Sequence, residues 1–136
     1  MTTDAARATI HAYFDAFNRG DADGMLALVS DDIAHHVNQG DVRRGRAAFA
    51  EFCAHMGVSY REELRDMVIF VNDDGTRAAA EFVVHGEYLQ TDPGLPEAKG
   101  QRYVLPAGSF FSLRDGQITR VATHYNLADW IAQVSA

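Results

Sequence analysis

Apolar residues at the start of the chain recur at i, i+3, i+4 and i+7. Ile10, Tyr13, Phe14 and Phe17 stack on one face and predict a helix from Asp4 to Arg19. Thr3 or Asp4 can cap its start, and Asn18-Arg19-Gly20 ends it. Asp21 then caps a second short helix with Met25, Leu26, Leu28 and Val29, which Ser30-Asp31-Asp32 breaks. Helical spacing returns in Phe49, Phe52, Cys53 and Met56, and Gly57 stands where a left-handed cap is often supplied. Between the second and third helices, Ala34 to Gly40 reads as a short extended segment whose alternation puts His36 and Asn38 on one side and His35 on the other.

Period two takes over in the second half. A strand from Tyr60 to Val71 ends in the apolar run Met67-Val68-Ile69-Phe70-Val71, and Asn72-Asp73-Asp74-Gly75 turns the chain back. On the return strand, Ala80, Phe82, Val84, Gly86 and Tyr88 share one face, and Glu81, Val83, His85, Glu87 and Leu89 the other. Strands over 101–113 and 118–126 meet at the hairpin Arg114-Asp115-Gly116-Gln117. A last short helix holds Leu127, Trp130, Ile131 and Val134. Helices followed by a meander of long strands predict an α+β domain, one unit over residues 1–136, with a curved and mainly antiparallel sheet wrapped around the three N-terminal helices.

Composition narrows the function. With 136 residues and 47% hydrophobic content the chain can bury its own core. Its net charge of -7 removes the positive field that DNA or RNA needs. The basic run Arg43-Arg44-Gly45-Arg46 reads as a solvated turn. A lone cysteine, Cys53, excludes an internal disulfide and a thiolate zinc cage, and it reads as a small core residue. The six histidines lack ligand spacing, so no metal and no cofactor is expected. Met1-Thr2-Thr3-Asp4 has neither a basic nor an apolar leader region, and no apolar run is long enough to span a bilayer; the expectation is a soluble, cytoplasmic protein with no membrane partner. Neither a Gly-x-Ser-x-Gly nucleophile motif nor a phosphate loop is present.

Candidate chemistry centres on His36. A histidine can exchange a proton near neutral pH, and Asn38 beside it could orient it or a substrate; the alternative is that both bond neighbouring backbone at a strand end. His85 and Glu87 share the more polar sheet face, and His55 and His124 have no evident partner. Phe17, Phe52, Met56, Phe82, Val84, Tyr88, Leu95 and Phe111 are expected to line an apolar pocket that is also the core. The segment Thr91 to Gly100, stiffened by Pro93 and Pro96, is expected at the pocket mouth as a partial lid with Leu95 as its apolar contact; a decorative loop or a dimer arm is the alternative.

The run Tyr13-Phe14-Asp15-Ala16-Phe17-Asn18-Arg19-Gly20-Asp21, then Gly24-Met25-Leu26-Ala27-Leu28, Asp31-Asp32, Gly45, and Phe110 through Ile118 resemble the nuclear-transport-factor-2-like (NTF2-like, cystatin-like) superfamily. Within it the chain is most similar to the ketosteroid-isomerase-related and SnoaL-like polyketide cyclase branch. Gly86 to Gly108 and Tyr125 to Trp130 point the same way. The resemblance implies a cone-shaped fold and a cofactor-free isomerase or cyclase that enolises a small apolar carbonyl compound. It implies an oxyanion-holding tyrosine at Tyr13, a role that Tyr88 or Tyr125 could take instead, and a proton-moving base at His36 when counted back from Gly45, or at Val37 when counted forward from Asp32. The acid of steroid isomerases falls on Gly108 or Ser109. The expected set is therefore His36 as base, Asn38 orienting, and Tyr13 or Tyr125 with Ser109 as donors. A ligand-sequestering protein and an interaction module are the alternatives, and a homodimer through Val83, Leu89, Val104 and Phe110 on the outer sheet face is expected in any of them.

Overall fold

The computed structural model describes residues 2–136. The helices are α1 (Thr3–Arg19), α2 (Ala22–Leu26), α3 (Arg46–Ser59) and α4 (Leu127–Ser135). The strands are β1 (Val29–Val37), β2 (Arg43–Arg44), β3 (Tyr60–Val71), β4 (Arg77–Tyr88), β5 (Gln101–Arg114) and β6 (Gln117–Tyr125). They form one curved open sheet in the order β2-β1-β6-β5-β4-β3, antiparallel throughout except for the β1–β6 pair. The α+β architecture read from the sequence is thus present.

The cap of α1 is one residue earlier than expected. Thr2 accepts the Ala5 N–H, because Thr3 and Asp4 are already helical; Gly20, at φ 71°, closes the helix. Asp21 caps α2 as expected, accepting from the Gly24 N–H. Gly57 ends nothing: α3 runs through it to Ser59, and the chain leaves directly into β3 at Tyr60. The turn that needed a glycine lies at the other end of α3, where Gly45 has φ 93°.

The helix α1 runs beside the free edge of β3. Asn18 there acts as a strand partner, donating to the Leu64 carbonyl at 3.1 Å and accepting its N–H at 2.9 Å, while Arg7 donates to the Ile69 carbonyl. Edge groups that would otherwise seek another strand are satisfied in this way. A bulge between Arg65 and Val68, with Asp66 at φ 56°, shifts the parity of β3. Tyr60, Glu62 and Leu64 face the helices before the bulge; Met67, Ile69 and Val71 do so after it.

Register fixes the inner surface as rows across strands. One row is Glu62, Gly86 and Tyr103, and another is Phe82, Ala107 and Tyr125. Further along lie Ser109, Thr123 and Val37, then Phe111, Val121 and His35. The expected register of β4 holds: Phe82, Val84 and Tyr88 are buried, while Glu81, His85 and Glu87 lie on the outer face. Leu89 departs from it. It lies beyond the end of β4, where its N–H bonds the Ser59 carbonyl and its side chain turns to the inner cavity.

Candidate functional site

Between the helices and the concave face of the sheet lies a cavity of about 690 Å³. Its apolar wall includes Phe17 on α1, Phe52 and Met56 on α3, Phe82 and Val84 on β4, and Leu95 on the 91–100 segment. These six were expected there. Tyr88 and Phe111 were expected with them but are packed behind the wall. Phe111 lies edge-on to Tyr13 and Phe14, and Tyr88 stacks on Tyr60 with its hydroxyl turned to the loop.

The cavity surface is mostly apolar, and burial shifts the pKa of several of the polar groups set into it. The hydroxyl of Tyr13 is held far above its usual pKa by burial, with a smaller contribution from Cys53, so it stays a donor. The Cys53 thiol is pushed up to about 11 by burial and is protonated at neutral pH. The Ser109 and Thr123 hydroxyls meet at 2.7 Å. Tyr125 also keeps its proton, through burial first and then the nearby charges of Glu62 and Asp92.

His35, and not His36, faces inward. Its ring lies edge-on to Phe49 and Phe52 at centroid distances of 5.1 and 4.5 Å, and burial, then Arg43 and His36, lower its pKa to about 4. Past the irregularity between Val29 and Ala34, alternation holds along the rest of β1. Ile33, His35 and Val37 share the inner face, and the parity anchored by Ile33 places His36 outside, where burial, then Arg120, Arg44 and His124, lower its pKa. Asn38 is not a cavity residue either. At φ 49° it leaves the strand, and its Oδ1 accepts the Tyr125 N–H at 2.8 Å. The reading in which it bonds neighbouring backbone at a strand end is the one that fits.

Two carboxyls line the cavity, Glu62 on the sheet wall and Asp92 at the rim. Burial raises the pKa of Glu62, and the Tyr103 hydroxyl, which donates to Oε2 at 2.5 Å, pulls it part of the way back. At the rim, Asp92 accepts from Tyr60 at 2.7 Å and lies 3.1 Å from His55 Nε2, giving His55 the partner the sequence did not reveal. The basic run divides three ways. Arg43 covers the Phe52 ring at 4.8 Å, Arg44 pairs in register with Ala34, and Arg46 binds Asp31 and the Val29 carbonyl. Among the described residues no group of three or more His, Cys, Asp or Glu is placed to hold a metal ion, and no helix is long and apolar enough to cross a membrane.

The model of the SnoaL-like domain family matches residues 10–121. The chain belongs to the SnoaL-like family. Its fold agrees with solved structures. A protein from Silicibacter sp. TM1040 described as a candidate polyketide cyclase is 64% identical, with TM-score 0.96 over 100% of this chain and 99% of that one. A second, from Xanthomonas campestris pv. campestris and described in the same words, is 58% identical at TM-score 0.95 over 98% and 99%. An NTF2-like protein from Burkholderia xenovorans LB400, 16% identical at TM-score 0.79 over 98% of both chains, shares the fold. No curated protein matches the chain.

Of the predicted site residues of this SnoaL-like protein, Tyr13, Ser109 and Tyr125 come together on the cavity wall; His36 and Asn38 do not line it. Glu62 was missed, although a signal existed. It stands between Tyr60 and Leu64 on one strand parity, so a carboxylate sits on the apolar face of the strand, which is rare unless paired or functional.

Proposed function

We propose that this protein is a cofactor-independent isomerase or cyclase that moves a proton on a small apolar carbonyl compound held in the cavity. The supporting observation is Glu62, a carboxyl on the wall of a largely apolar cavity whose burial raises its pKa toward the range where a base is useful at neutral pH. In this reading the Glu62 carboxylate takes a proton from the carbon next to the carbonyl, and the electron pair moves onto the oxygen. A hydroxyl from Tyr125, Tyr13 or Ser109 hydrogen-bonds the developing enolate oxygen. The carboxylic acid then returns the proton to another carbon. In a cyclase the enolate carbon instead attacks a second carbonyl, and the acid protonates the new alkoxide. The names of two similar solved structures favour the cyclase form. The base is reassigned from His36 because that side chain lies on the outer face.

The test is deuterium incorporation from D2O into a panel of apolar ketones, enones and lactones. Glu62→Gln should slow exchange roughly a hundred- to ten-thousand-fold and leave binding nearly intact, while His36→Ala exchanges as wild type does. Undiminished exchange in Glu62→Gln removes Glu62 as the base. Tight binding with no exchange by any variant makes the protein a ligand-sequestering member of its family.

A further inference from the structure

Glu62, Gly86 and Tyr103 are neighbours in one row across β3, β4 and β5, on the inner face. Gly86 is the middle member, and a Cβ built on it would overlap the Tyr103 ring. The phenol therefore lies across the backbone of β4, in the space a side chain would fill, and reaches from β5 to a carboxyl two strands away. Behind it, Trp130 of α4 is edge-on to the Tyr103 ring at 5.9 Å, with its indole N–H beside the phenol oxygen. Any side chain at Gly86 would close this route, and a shorter residue at 103 would not span it.

We propose that Tyr103, passing through the gap at Gly86 and backed by Trp130, is a positioning residue that holds the Glu62 carboxyl toward the cavity and sets its proton affinity. The inference rests on Glu62 being the proton carrier. Donation from Tyr103 stabilises the carboxylate and so opposes the burial that favours the acid. The other ionisable groups around the pair are Tyr60 of the same strand, Tyr125 of β6 and Asp92 of the rim, with His55 of α3 on Asp92. Arg61, the next residue, pairs outward with Glu87. The phenol is thus the hydrogen-bond donor that the fold gives to Glu62. The C-terminal helix gains a role beyond closing the core: through Trp130 it holds that donor in place.

The experiment is an infrared titration of the carboxyl band assigned to Glu62 by difference against Glu62→Gln, in wild type, Tyr103→Phe and Gly86→Ala. Loss of one hydrogen bond to a charged group is expected to raise the Glu62 pKa by about one to two units in Tyr103→Phe. Gly86→Ala should reproduce the shift with the phenol still present, and Tyr103→Phe keeps the test alive if the alanine variant does not fold. In any compound that exchanges, the pH–rate profile should move upward by the same amount. A folded Tyr103→Phe protein with an unmoved Glu62 titration overturns the proposal, even if its stability has fallen. The two readings fail separately: a shifted titration without exchange in any compound leaves the positioning and removes the reaction, and Glu62-dependent exchange with an unmoved titration does the reverse.

Discussion

His35 and His36 are consecutive in β1 and lie on opposite sides of the sheet, the first against Phe49 and Phe52 and the second in the field of Arg44, Arg120 and His124. The inner ring is neutral at pH 7, because burial and then the charge of Arg43 bring its pKa to about 4. An unfolded chain would bind a proton at His35 near pH 6.5, well before the folded protein does. Stability from this residue is therefore complete above about pH 6.5 and is lost as pH falls toward 4, by about 3 kcal/mol in all. Urea unfolding of wild type and His35→Phe at pH 7 and pH 4 checks this. The variant should lose about that much less stability on acidification, and equal losses would mean the ring is already charged in the folded state.

Asn38 ties the end of β1 to β6 through the Tyr125 N–H and holds a left-handed backbone. Replacing it by glycine removes only the hydrogen bond and should cost about 1 kcal/mol. Replacing it by alanine adds the strain of φ 49° and should cost about 2 kcal/mol. Chemical denaturation of both variants separates the two contributions. An alanine variant as stable as the glycine variant would show that the backbone relaxes there.

The 91–100 segment is a fixed rim. The Tyr88 hydroxyl accepts the Asp92 N–H at 2.9 Å and donates to the Pro96 carbonyl at 2.7 Å, while Leu95 packs against the core. Tyr88→Phe should raise hydrogen exchange at the Asp92 amide by about tenfold, with little change in the β4–β5 ladder. Leu95→Ala should weaken binding of an apolar ligand. Unchanged exchange in the first variant would show that the prolines alone hold the rim.

We expect the outer sheet face to pair with a second copy of the chain. Phe70, Ala79, Phe110, Ala122 and His36 form a single row there, and the small alanines leave Phe110 standing out, half exposed at 50%. Val104 is equally exposed, and Glu63, Arg65, Glu81 and Arg102 around them supply both signs of charge. A face that is apolar at its centre and mixed in charge suits an isologous contact. Light scattering at micromolar concentration should give a dimer for wild type and a monomer for Phe110→Asp. A wild-type monomer would end this expectation.

The amino-acid pattern alone determined α1, α3, α4, the long strands β3 to β6 and their two tight hairpins, because periods of 3.6 and 2 and turn residues such as Asp115-Gly116 act over a few neighbouring positions; Leu28 and Val29, read as the end of a second helix, instead lie beyond α2, and Val29 opens β1. It also determined most of the apolar cavity wall, since Phe17, Phe52, Phe82 and Val84 lie on unambiguous faces. What only the tertiary structure decided was which polar groups meet. The alternation of His35, His36, Val37 and Asn38 is the same read from either side, so the inner face of β1 was set by Ile33 against the core and by pairing with β6, a strand over eighty residues away in sequence. Glu62 and Tyr103 become partners only when three strands align with a glycine between them. Local pattern chooses an element and its greasy side; long-range register chooses the neighbours, and in this protein the candidate chemistry resides in the neighbours.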